Sequence, residues 1–258
     1  MHRLRYQVVD GVAVCVYANP QHAGEAAATQ AAAAIERAVV VRGKARVIFA
    51  SAPSQLAMIA SLTEQPGIAW QRVEAYHMDE YIGIDSDAPQ SFGNWISQQL
   101  APVGVGCVEL IRTGDDPKRE ARRYGGLVSA EAVDLTCMGI GVNGHIAFNE
   151  PNRCRFDDPE PARVVELTEV SRTQQVDDKC FETIDEVPRT AVTLTVPTLM
   201  RAGTIVMTAS GVHKAAAVKA MLTGPVGPSC PATAVRGRRG AHVFLDTPAA
   251  AQLPLQPR

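Results

Sequence analysis

Residues 134–151 read DLTCMGIGVNGHIAFNEP, and this stretch decides the fold. Asp134 to Ile140 is a short, strongly apolar run, the pattern of a strand buried on both faces in a parallel sheet. It passes directly into Gly141, Val142, Asn143, Gly144 and His145. Open parallel sheets bind ligands beyond the carboxyl ends of their strands, so a strand that ends in glycines and a histidine puts chemistry where such a sheet uses it. Gly139, Gly141 and Gly144 let the backbone approach a ligand closely.

On either side the same alternation recurs. An alanine-rich helix is expected over Gln21 to Val41, a buried strand over Lys44 to Ala50, a helix over Gln55 to Thr63 and a strand over Val73 to His77. A helix near Ser91 to Leu100, a strand near Val108 to Ile111 and a helix over Pro117 to Val128 follow. Past the central segment come strands at Ala191 to Val196 and Thr204 to Thr208, a helix at Lys214 to Leu222 and a last strand at His242 to Leu245. This order predicts an α/β fold, a mostly parallel central sheet with helices on both faces, Rossmann-like, in a single domain over residues 1–258. The polar, proline-spotted stretch Asn152 to Pro188 reads as a loop or lid over a site, with a solvated insertion as the alternative. The tail from Thr247 reads as frayed.

Charge and composition narrow the function class without naming it. Twenty-five basic and 27 acidic residues give a net charge of -2, with no basic stripe for nucleic acid or for an anionic membrane surface. No apolar run approaches the roughly 20 residues of a membrane helix, and the N-terminus lacks the apolar core of a signal peptide, so a cytoplasmic location is expected. The six cysteines stand singly, without zinc-type spacing, and read as reduced packing residues. A small soluble ligand is the expected partner.

Three strand ends carry candidate chemistry. Ser51, Ala52, Pro53 and Ser54 form a strand-to-helix turn where free backbone N–H groups favour an anion such as phosphate, although Ser54 also reads as a plain N-cap. His77, Met78, Asp79, Glu80 and Tyr81 set adjacent carboxylates at a strand end, either a general base or a solvated pair. In the third, His145 can move a proton near neutrality, and Glu150 is placed to pair with it and raise its pKa; otherwise it is a core histidine beside a plain turn. GIGVNG also matches a dinucleotide-binding pattern literally, but Asn149-Glu150-Pro151 cuts off the helix that should follow. His77, Asp79, His145 and Glu150 are residue types that could in principle converge around a metal, but nothing in their spacing demands one.

Taken in order, these stretches resemble the glucosamine-6-phosphate deaminase family from about Ile48 to Asp246. The resemblance rests on MDEYIGI at Met78 to Ile84 with APQSF at Ala88 to Phe92, and on GIGVNGHIAFNEP at Gly139 to Pro151. A third stretch, VPRTAVTLTVPTLMRAGTIVMTASGVHKA at Val187 to Ala215, is in register with them. It implies isomerising deamination of an amino-sugar phosphate in amino-sugar catabolism, with no metal and no redox cofactor. Family members commonly assemble, so a homo-oligomer is expected.

Residue by residue, the resemblance makes Asp79 the base that moves a proton between C2 and C1. It makes His145 the ring-opening histidine and Glu150 the glutamate that orients it. Ser51, Ala52, Ser54, Gly144 and Lys214 fall in the substrate- and phosphate-binding positions. A further cation is expected from the lid, with Lys179 nearest to the family's arginine and Arg172 competing. Asn143 stands where the family keeps an aspartate, which predicts a less basic His145. Ala52 and Pro53 replace phosphate-loop glycines. A 6-phosphogluconolactonase-like hydrolase and a catalytically impaired sugar-phosphate sensor are the competing readings.

Overall fold

A computed structural model describes residues 2–254. Its strands are β1 (Arg5–Val9), β2 (Val12–Tyr17), β3 (Ala45–Phe49), β4 (Val73–His77), β5 (Asp79–Tyr81), β6 (Cys107–Glu109), β7 (Leu135–Met138), β8 (Ala162–Glu166), β9 (Thr190–Leu194), β10 (Thr204–Ala209) and β11 (Ala241–Asp246). The α-helices are α1 (Pro20–Arg42), α2 (Leu56–Thr63), α3 (Phe92–Leu100), α4 (Pro117–Ser129), α5 (Glu169–Asp177), α6 (Val196–Met200) and α7 (Ala215–Thr223).

Eight strands form the central sheet in the order β1-β2-β11-β10-β7-β3-β4-β6. Every pairing is parallel except the β1–β2 hairpin at one edge. The hairpin turns on Asp10 and Gly11, both at positive φ, the geometry that suits the twist of a two-residue hairpin. One apolar cluster lies on each face of the sheet. On one face α1 can lie close because its inner surface is alanine; at Gly24 an added Cβ would stand 2.7 Å from the backbone of Ala57 in α2. The buried Arg46 of β3 meets Glu74 and the Tyr76 hydroxyl, and donates to the Leu127, Val128 and Glu131 carbonyls around the C-terminus of α4. A guanidinium satisfied on this many sides can stay inside an apolar layer.

Four expectations change. Ala191 to Val196 does not join the parallel sheet: the strand stops at Leu194 and is the middle strand of a second, antiparallel sheet, β5-β9-β8. The stretch Asn152 to Pro188 is no bare loop, since it supplies β8 and α5. The N-terminal hairpin had no place in the expected order. The tail is not frayed as far as Pro254: Thr247 donates to the Tyr17 carbonyl, Ala249 N–H donates to Asp246, and Ala249, Ala250 and Leu253 are buried. Residues 255–258 of that tail lie outside the described residues.

Candidate active site

The carboxyl ends of β3, β4, β7 and β10 open onto one cavity of about 260 Å³, close to the lower end of the range for small-molecule sites. Each contributes the residues that follow it: Ser51 to Ser54 after β3, Asp79 after β4, Gly139 to Gly141 with His145 after β7, and Ser210, His213 and Lys214 after β10. The open side is covered by one face of α5 and the residue after its end, through Gln174, Gln175 and Asp178.

Asp79 starts β5, opposite Thr193 in the small sheet, so backbone pairing fixes where its carboxyl points. It is buried, and loss of hydration, reinforced by the neighbouring charge of Glu80, holds its pKa well above the usual carboxylate range. Glu80 is drawn the other way, into structure: it accepts hydrogen bonds from the Ser91 hydroxyl and from the N–H groups of Tyr81, Phe92 and Gly93. The adjacent carboxylates thus divide, one bordering the cavity and one closing the start of α3.

His145 lies against Gly141, where an added Cβ would stand 2.2 Å from the imidazole. Its Nδ1 is 2.9 Å from the Ser171 hydroxyl of α5 and 3.9 Å from Glu150 Oε2. Glu150 thus stands within ion-pair distance, as expected, while Ser171 is the hydrogen-bonded neighbour. Burial pushes the imidazole pKa down to about 4, outweighing the upward pull of Glu150, while Lys214 lowers it further and Asp178 opposes. Glu150 does raise it, as expected, but burial outweighs that pull.

Asn143 and Glu150 do not border the cavity. Asn143 accepts from the backbone N–H of His145 at 3.1 Å and donates to Glu150 Oε2 at 3.0 Å; the other Glu150 oxygen accepts from Thr168 N–H at 3.3 Å. Both residues brace the loop that carries the histidine. Gly144 also faces away from the cavity. It has φ 87°, and an added Cβ would meet Cys230 Sγ at 2.6 Å, so the turn itself requires glycine here.

Ser51, also on the cavity wall, has a buried Oγ with no hydrogen-bond partner. Ser54 is not an N-cap: neither the short turn Pro53–Gln55 nor α2 has a side-chain cap. Lys214 is buried, and desolvation lowers its pKa against the pull of Asp178. Its loop is held by Asp246, whose carboxylate accepts from Gly211 N–H at 3.0 Å just past β10.

Neither lid cation borders the cavity. Arg172 is buried and spends its guanidinium on the carbonyls of Ile184 and Val187, tying α5 to the chain that returns toward β9. Lys179 is exposed, at φ 61° just beyond α5. The lid offers two amides and a carboxylate in their place. Gln174, Gln175 and Asp178, with Ser171, recur at helical spacing on one face, but the repeat is polar and a search for apolar periodicity passes over it. Among the described residues no group of three or more His, Cys, Asp or Glu side chains is placed to hold a metal ion.

The family described as glucosamine-6-phosphate isomerases/6-phosphogluconolactonase matches residues 18–244. A glucosamine-6-phosphate deaminase of Exiguobacterium sibiricum is 35% identical over 185 residues, 71% of each chain. One of Bacillus thuringiensis is 32% identical over 214 residues, 82% of this chain and 79% of that one. Among solved structures, a monomeric glucosamine-6-phosphate deaminase superposes with a TM-score of 0.84 at 28% identity, covering 92% of this chain and 98% of that one. A 6-phosphogluconolactonase from Shewanella baltica superposes with a TM-score of 0.74 at 17% identity, covering 93% and 99%, a likeness of fold alone.

Proposed function

Since the chain belongs to the family of glucosamine-6-phosphate isomerases and 6-phosphogluconolactonases, we propose that it converts glucosamine 6-phosphate and water to fructose 6-phosphate and ammonia. The relatives at 32–36% identity are deaminases, which favours this branch over the lactonases. The observation that carries the reading is that Asp79 and His145 border the same cavity as Lys214, Ser51 and Ser54. Groups for proton transfer and groups for holding an anion then line one cavity of small-ligand size.

In this reading the phosphate is held by Lys214 and the hydroxyls of Ser51 and Ser54, the unpartnered Ser51 Oγ finding there the acceptor it lacks. His145, neutral at working pH, takes the O1 proton and delivers it to the ring oxygen as the C1–O5 bond breaks. Asp79 then removes the C2 proton to give an enolamine and returns it at C1. The C2 iminium that results adds water and loses ammonia. Burial that raises the Asp79 pKa makes its ionised form a stronger base, at the cost of a smaller ionised fraction at low pH.

The reaction is placed in N-acetylglucosamine catabolism and in the cytoplasm. No helix among the described residues is long and apolar enough to cross a membrane. The test is direct: purified protein is incubated with glucosamine 6-phosphate and, separately, with 6-phosphogluconolactone. Equal yields of ammonia and fructose 6-phosphate from the first are expected. Hydrolysis of the lactone alone would move the chain to the other branch, and binding without turnover would make it a sensor.

A further inference from the structure

The histidine's position depends on an element outside the motifs. Three contacts join α5 to the segment Gly141–Glu150: Ser171 Oγ to His145 Nδ1 at 2.9 Å, Val142 N–H to Gln174 Oε1 at 2.9 Å, and Thr168 N–H to Glu150 Oε1 at 3.3 Å. Of these, only the first touches a reacting group. Ser171 is fully buried, and its own backbone N–H donates to the Thr168 hydroxyl that caps α5, so its place is set by the helix start.

Two oxygens face Nδ1, the Ser171 hydroxyl and, at 3.9 Å, the Glu150 carboxylate. The carboxylate can only accept, and at 3.9 Å its field decides which way the Ser171 contact runs without itself binding the proton. With that proton directed at Ser171 Oγ, the lone pair is on Nε2, the nitrogen left for a ligand in the cavity that His145 borders. We infer that Ser171 is the positioning residue for His145: its hydroxyl accepts from Nδ1–H, holds the tautomer whose Nε2 can take the O1 proton, and makes ring opening depend on the seating of α5. Asn143 cannot serve this purpose, because its side chain meets the backbone of His145 and not the ring.

The inference rests on the deaminase reading for its kinetic consequence but not for its structural one, and the experiment separates the two. Imidazole nitrogen NMR on ligand-free labelled protein, with His145→Gln used to assign the signal, reads the tautomer without any substrate. Nδ1–H is expected in the wild type, with a mixed or Nε2–H population in Ser171→Ala and recovery of Nδ1–H in Ser171→Thr, which keeps the hydroxyl.

Turnover is then measured beside binding of the open-chain alditol, the substrate reduced at C1, which has no ring to open. Ser171→Ala is expected to lower kcat for glucosamine 6-phosphate by about tenfold or more, to bind the alditol within about twofold of wild type, and to regain turnover as Ser171→Thr. An unchanged tautomer in Ser171→Ala overturns the inference. So does a loss of alditol binding as large as the loss of turnover, which would mark Ser171 as a packing residue only. If the wild type releases no ammonia, the deaminase reading fails, and the NMR result still decides the role of Ser171.

Discussion

The side-chain amide of Asn143 donates to Glu150 Oε2 at 3.0 Å while its carbonyl accepts the backbone N–H of His145. An ionised aspartate could make the second of these bonds but not the first. The resemblance leads one to expect a weakened histidine at this position. The geometry shows a loop brace instead, with burial as the main cause of the low His145 pKa. Asn143→Asp would set two carboxylates about 3 Å apart, where both cannot ionise and the pair shares a proton. The pH profile of kcat should therefore gain an ionisation that the wild type lacks. Superimposable profiles would show that the amide does not govern the loop.

Asp79→Asn should remove exchange of the C2 proton with solvent and lower turnover by about 10²- to 10⁴-fold, the usual range for loss of a general base. Binding of the open-chain alditol should persist. In the wild type the acid limb of kcat/KM should lie above the ordinary carboxylate range, because burial and Glu80 both raise the Asp79 pKa. Activity is lost as pH falls through that raised value. Proton exchange retained in Asp79→Asn would remove it as the base.

Lys214→Gln tests how the anion is held. A charge-assisted hydrogen bond contributes about 1.5–3 kcal/mol, so KM for the phosphorylated sugar should rise by about 10- to 100-fold with a smaller change in kcat. Inhibition by inorganic phosphate should weaken in parallel. Unchanged phosphate inhibition would place the phosphate elsewhere.

Where the sequence was legible, the reason is that burial writes itself in apolar residues. The strand before Gly139 and the strand at Val73 to His77 are read from their side chains alone, and Asp79 and His145 come with them because a parallel sheet fixes which end carries ligands. The segment over the site was legible as a loop or lid, but its helix was not, for the opposite reason. The face that α5 turns to the cavity is Gln174 and Gln175, followed by Asp178, polar because it meets a polar ligand site, so no hydrophobic period marks the helix. Arg172 illustrates a further limit: a cation near an expected phosphate is indistinguishable in sequence from one whose donors are used by backbone carbonyls. One demand on Gly144 is hidden likewise, since it comes from Cys230, distant in sequence.

His77 gives a stability prediction. It is buried, its Nε2 accepts the Ile111 N–H at 2.9 Å, and burial lowers its pKa to about 4 from 6.5. The unfolded chain binds the proton first as pH falls, so stability is full above pH 6.5 and declines between 6.5 and about 4. The contribution lost is on the order of 3 kcal/mol. Urea midpoints of the wild type and of His77→Gln should converge across that window. A constant gap between the two would mean that His77 does not titrate there.

Gly141→Ala asks whether the histidine's place is set by space. A Cβ at 141 would stand 2.2 Å from the His145 ring, far inside contact distance, and the ring cannot retreat freely because Nδ1 is held by Ser171 and the backbone by Asn143. Gly141 N–H also donates to the His145 carbonyl at 2.9 Å, so the two residues close a tight turn that leaves the backbone little room to shift. The expected cost in stability is that of local overpacking, about 1–3 kcal/mol. The expected loss of turnover is far larger, because a displaced imidazole no longer reaches O1. Exchange of the C2 proton from an open-chain substrate should survive, since Asp79 is carried by a different strand. Equal loss of both activities would indicate general collapse of the cavity, whereas selective loss of ring opening would locate the effect at His145.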